Sequence, residues 1–162
     1  MPKLLKFFLL LIAFSLPLFY LWMEGGQTAY QKLLGAAVVP LAKALGEKEL
    51  NLFVVKGHLM NLIPFMVLML ATPGLGWKRR IIGLVTGLVI LFGWHLLFSL
   101  VLNHYQTLWG HGRIFYQLFI PAISVNSAVP VILWFIVAWK GVQELLGEIF
   151  PKVAASQKAK EC

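Results

Sequence analysis

HLMNLIPFMVLMLATPGLGWKRRIIGLVTGLVILFGWHLLFSLVL, residues 58–102, sets the architecture of the whole chain. Two apolar runs, 59–71 and 81–102, flank the basic turn Trp77-Lys78-Arg79-Arg80, and no carboxylate occurs between Leu50 and Gln143. Short loops rich in Lys and Arg stay on the side of the membrane from which a chain is inserted. The stretch therefore reads as a membrane hairpin with its turn in the cytoplasm. Lys78, Arg79 and Arg80 are the residues that fix its topology and meet lipid headgroups.

Composition extends this reading to the rest of the molecule. The chain has 162 residues, of which 60% are hydrophobic and 12% charged, and its mean hydropathy is +0.83. Soluble domains are roughly half apolar and a quarter charged. An all-α integral membrane protein is expected, a single unit of about four transmembrane helices at roughly 20 residues per crossing. The apolar residues come in continuous runs, which argues against the alternating pattern of a β-barrel. The net charge of +8 collects at the ends of apolar runs, where it sets topology, so nucleic acid is not an expected partner and membrane lipid is. The single cysteine, Cys162, is the last residue, which excludes an internal disulfide and a cysteine metal cluster.

Working outward from the hairpin, residues 4–23 form a first span behind Lys3 and Lys6, too long for a signal peptide and lacking a small-x-small cleavage site. Pro17 lies inside it, and Tyr20 and Trp22 belong at the outer interface. Residues 24–57 make an outer loop. Within it, residues 28–45 carry Tyr30, Leu33, Leu34, Ala37, Val38, Leu41, Ala44 and Leu45 at helical spacing. Lys32, Lys43 and Pro40 argue against a crossing, so an amphipathic helix on the outer face, or packed back onto the bundle, is expected. The second span covers 58–73, with Pro64 inside it, and the third 81–102, with a small-residue face at Gly83, Thr86 and Gly87. A second outer loop, 103–127, follows; its apolar part, 114–123, is broken by Pro121 and lies at the interface or re-enters. The fourth span, 128–147, descends to a cytoplasmic tail, 148–162, so both termini are cytoplasmic. Multi-pass insertion in a bacterial cytoplasmic membrane is the expected location.

Polar side chains inside apolar spans are the natural functional candidates, because hydrocarbon leaves them without partners at a cost of several kcal/mol. Here they are His58, Asn61, His95 and Ser99, with Gln143 and Glu144 as further candidates. His58 and Asn61, three apart, share one helix face, and His95 and Ser99, four apart, share another. Antiparallel packing brings the two pairs to similar depth, with His104, His111 and Arg113 from the outer loop above them. A histidine set of this kind is a possible metal site, but the spacing matches no compact ligand motif and no carboxylate is at hand to orient the rings. Hydrogen bonds between helices that fix the packing are the reading adopted. Ser99, Ser124 and Ser127 stand in no nucleophile-elbow setting, and Asp is absent. His95 beside Trp94 could ligate a haem or chlorin, which few lone membrane histidines do. No catalytic residue, metal or cofactor is assigned.

Four features resemble the exosortase and archaeosortase group of membrane transpeptidases. They are a first span ending in Trp22, an outer amphipathic piece closing in Leu45-Gly46, the run Thr72-Pro73-Gly74-Leu75-Gly76-Trp77-Lys78-Arg79-Arg80-Ile81-Ile82-Gly83-Leu84, and a last apolar span after an aromatic outer loop. Members of that group are thought to act through a Cys, an Arg and a His at the outer face. The chain departs from this pattern. Leu59 to Asn61 stand where the cysteine would fall, and Gly93-Trp94-His95 where an Asn and an Arg would. The resemblance thus implies a non-catalytic relative, similar to the small membrane proteins associated with exosortases. Such a protein would be an accessory subunit for protein sorting, docking a substrate's transmembrane tail or the sortase through its small-residue faces. Two other readings compete with it: a structural subunit of a larger respiratory or photosynthetic complex, and a metal-dependent membrane enzyme using His58, His95, His104 and His111.

Overall fold

A computed structural model of the chain describes residues 2–47, 59–109 and 113–149. Every regular element among them is helical. In order they are α1 (Lys3–Leu21), a π-helical turn (Trp22–Gly26), α2 (Gln27–Ala44), α3 (Leu62–Ala71), α4 (Trp77–Trp109), α5 (Arg113–Val137) and α6 (Trp139–Ile149).

The shortest apolar helix holds the centre. α3 packs against α1, α4 and α5, and Leu62, Ile63, Phe65, Val67, Met69 and Ala71 are all buried. Its start is explained by Pro64, which stands in the first turn, where its missing N–H would have had no helical partner. Thr72 leaves the helix with extended backbone ahead of Pro73. Gly74, at φ 74°, then turns the chain with a left-handed conformation that only glycine adopts freely. The descending limb of the hairpin is thus helical over 62–71 within the expected 58–73, and residues 48–58 lie outside the described part.

α4 presents one buried stripe, Gly83, Gly87, Leu91, His95, Ser99 and Leu102, at the spacing of one helix face. Gly83 faces Met69 and Val137, and Gly87 faces the ring of Phe65, so a methyl group at either would collide with its neighbour. The expected small-residue face therefore exists at Gly83 and Gly87 but is filled from within by α3 and α5. Thr86 is exposed and belongs to another face.

The chain after residue 102 differs from the expected course. Residues 103–109 continue α4, and α5 runs through Pro121 and Pro130 without a break, so 113–127 is helix where an outer loop was expected. The expected fourth span, 128–147, is divided at Ala138 between α5 and α6. Proline interrupts a helix in water because it frees a carbonyl; in an apolar bundle a neighbouring side chain can take that carbonyl, and the helix continues. At 33 residues, α4 is about 50 Å long, longer than a hydrocarbon core of about 30 Å.

The helices Lys3–Ala44, Trp77–Leu108 and Gln117–Val137 are each long and apolar enough to cross a membrane. Their outward surfaces are apolar, with Phe8, Ile12, Leu16, Ile82, Val89 and Ile136 all exposed. A water-soluble protein would not present so continuous an apolar belt; a membrane protein requires it.

Candidate functional site

Asn61, His95 and Asn126, with Tyr30 and Trp94, form one connected chain of hydrogen bonds in the bundle interior. Asn61, the residue before α3, donates from Nδ2 to the Asn126 backbone carbonyl at 3.0 Å and to Asn126 Oδ1 at 3.1 Å. Its Oδ1 accordingly faces His95 Nε2 at 2.7 Å, which must be the protonated ring nitrogen. Nδ1 of a neutral ring is then the acceptor for the Tyr30 hydroxyl, 2.6 Å away. Trp94 Nε1 donates to Asn126 Oδ1 at 2.8 Å. Ser99 Oγ turns back on its own helix and donates to the His95 carbonyl at 2.6 Å. His95, Ser99 and Asn126 are all but inaccessible.

One local feature explains why α5 takes part. Pro130 has no N–H, so the carbonyl four residues earlier, that of Asn126, lacks its helical partner. Asn61 supplies the donor from α3. A carbonyl left open in hydrocarbon would cost several kcal/mol, and here it becomes an inter-helix tie. Tyr30 enters from α2 because the π turn redirects the chain; Gly25, at φ 157° and ψ −14°, breaks the helix between Trp22 and Gln27. The rings of Trp22, Phe92 and His95 surround that of Tyr30.

Of the candidates read from the sequence, Asn61, His95 and Ser99 come together. His104 does not join them. It lies nine residues beyond His95 on one unbroken helix, about 13 Å along the axis and on the opposite face. Instead its Nδ1 meets Glu47 Oε1 at 2.8 Å, and Thr107 Oγ1 donates to Glu47 Oε2 at 3.1 Å, which fastens the end of α2 to α4. The hydrogen bond from His104, followed by that from Thr107, holds the Glu47 carboxyl below its ordinary pKa. His58, His111 and Cys162 lie outside the described residues, and Arg113 opens α5. Among the described residues, no three His, Cys, Asp or Glu side chains are grouped so as to hold a metal ion.

At the other end of the bundle, Lys78 and Arg79 are exposed, whereas Arg80 donates to the Thr72 carbonyl at 2.8 Å. Thr72 also accepts the Trp134 indole N–H at 2.7 Å, tying the hairpin turn to α5. Lys3 pairs with Glu144 at 2.6 Å. Glu148 accepts the backbone N–H groups of Lys3 and Leu4, each at 2.9 Å. A carboxylate from α6 thus caps the start of α1, where N–H groups have no helical acceptor and the helix dipole favours negative charge. These two N–H groups, Leu4 first, hold the Glu148 carboxyl below its ordinary pKa.

The sequence reading missed Tyr30, which it placed among apolar positions, and Asn126, which it placed in a loop. The signal for Asn126 was available in its position four residues before Pro130. Chemically the arrangement is closed: Ser99 is engaged with its own backbone, and both ring nitrogens of His95 are occupied. Compared with protein families, curated proteins and solved structures, the chain matches none of them.

Proposed function

We propose that this chain is a non-catalytic, polytopic membrane subunit that receives the transmembrane helix of a partner, as an accessory component of an exosortase-type sorting system in a bacterial cytoplasmic membrane. The observation that supports a scaffold over an enzyme is the interior hydrogen-bond chain, in which Tyr30, His95, Asn61 and Asn126 are spent on joining α2, α4, α3 and α5, while Ser99 is turned back on its own helix. Gly83 and Gly87 are already filled by α3 and α5, so docking falls to a different surface. A recess of about 530 Å³ between α1 and α3 is lined by residues that include Leu11, Leu16, Phe19, Met60 and Pro64.

The reading is tested by purifying the tagged chain from native membranes with a photo-crosslinker at Leu16. A crosslinked exosortase or sorting substrate is the expected product, and repeated recovery of neither overturns the proposal. An absorbance spectrum of the same preparation tests the rival role in a respiratory or photosynthetic complex, since bound haem or pigment belongs only to that role.

A further inference from the structure

Pro17 does on the outside of the bundle what Pro130 does within it. Lacking an N–H, it leaves the Ala13 carbonyl without its helical donor. Ala13 and Pro17 are both exposed, and no side chain among the described residues donates to that carbonyl. Ala13 lies ten residues after Lys3, about 15 Å along α1 and so near the middle of a hydrocarbon core of about 30 Å. Water and headgroups do not reach that depth and an acyl chain has no donor, so the open carbonyl is costly until another helix serves it.

The chain itself carries a matching donor. Thr86, on α4, is exposed nine residues after Trp77, about 14 Å along its helix. The two helices start level, since Glu144 pairs with Lys3 and lies against Gly74, and both rise from that end. Ser15, Ser124 and Ser127 turn their hydroxyls back on their own helices. The Thr86 hydroxyl makes no hydrogen bond among the described residues. Because acceptor and donor are both exposed, they do not meet within one molecule. A second pair repeats the first at the same offset. Tyr20 and Gly93 each lie seven residues further on, on the same helix faces as Ala13 and Thr86. The Tyr20 ring is 63% exposed, and a side chain at Gly93 would meet nothing within 4 Å.

We propose that this chain associates with a second copy of itself, α1 of one copy lying parallel to α4 of the other. The Thr86 hydroxyl donates to the Ala13 carbonyl across the contact, and the Tyr20 ring covers Gly93 as Phe65 covers Gly87 inside the bundle. A helix of another protein would have to bring both a donor and a hollow at these heights; this chain holds both halves in one register. Ala13, Pro17 and Tyr20 do not line the recess between α1 and α3, so the contact stands or falls apart from the docking role proposed for that recess.

The test uses the full-length chain with Cys162→Ser, which removes the native thiol. Two differently tagged copies, one with Tyr20→Cys and one with Gly93→Cys, are co-expressed and oxidised in native membranes. A disulfide product bearing both tags is expected. Val125→Cys, exposed on α5 at the height where Asn126 meets Trp94, should give none with Tyr20→Cys. Association in detergent is then read by energy transfer between labelled copies. Thr86→Val keeps the shape of the side chain, removes the hydroxyl and should weaken association about three- to twentyfold. Pro17→Ala closes the carbonyl with a helical N–H and should do the same, and the double variant should associate no more weakly than either single one. Gly93→Leu, for which the single chain has room, should abolish association. The proposal is overturned by the absence of a two-tag product or by an equal product from the Val125→Cys control. It is overturned equally by association that survives Gly93→Leu, that Thr86→Val leaves unchanged, or to which Thr86→Val and Pro17→Ala contribute additively.

Discussion

At the scale of single residues, Pro130 does something that its sequence position conceals: by withholding one N–H it creates the acceptor that Asn61 uses to bind α3 to α5. Asn61→Leu removes a donor to the Asn126 carbonyl and the acceptor of the His95 Nε2–H, at about 1–3 kcal/mol, and should lower the unfolding midpoint in detergent. Adding Pro130→Ala to that variant returns a helical N–H to the carbonyl and should recover part of the loss. Equal gain from Pro130→Ala in the unaltered protein would show that the two residues are not coupled. Asn61, His95 and Ser99 were legible because a polar residue in an apolar run stands out, and helical spacing says which ones share a face. Tyr30 was not, because its ring counts as apolar while its hydroxyl does the binding.

At the scale of elements, α3 and α4 are held in register by a ring against a glycine. Gly87→Leu drives a side chain into the space of Phe65 and should destabilise by about 1–3 kcal/mol, as overpacking does. Phe65→Ala in the same chain should relieve part of it, as read by thermal unfolding. The far end of α2 is held differently, by Glu47 against His104 and Thr107. Because the folded carboxyl titrates below the roughly 4.3 of a free glutamate, this tie is present above that value and is lost as the pH falls through the folded one. Spin labels at the exposed Leu45 and Leu108 should be close at neutral pH and separate in acid, and Glu47→Gln should weaken the tie at every pH. The hairpin of α3 and α4 was legible from its basic turn. The length of α5 was not: Pro121 and Pro130 read as breaks under rules framed for helices in water, and Asn61, which compensates for Pro130, is 65 residues from the Asn126 carbonyl it serves.

For the molecule as a whole, one end is defined three times over. The start of α1, the hairpin turn and α6 meet there, since the Glu144 carboxylate pairs with Lys3 and lies against Gly74. Gly141 sits against Thr72 and Pro73. If that end is cytoplasmic, as Lys78 and Arg79 require, Cys162 should resist an impermeant thiol reagent in intact cells and react after permeabilisation; labelling in intact cells would invert the topology. The membrane character of the chain was legible from composition alone, because an apolar exterior must be written into most positions. The meeting of α1 with α6 was not, since nothing local marks contacts between residues 145 positions apart. That separation also sets a clock. Synthesis runs at about 5–20 residues per second, N-terminus first, so α1 waits on the order of 7 to 30 s for Glu148, and until then its leading amides must be served by water or headgroups. A helix that enters the membrane well ahead of its partner is thus finished only when that partner arrives.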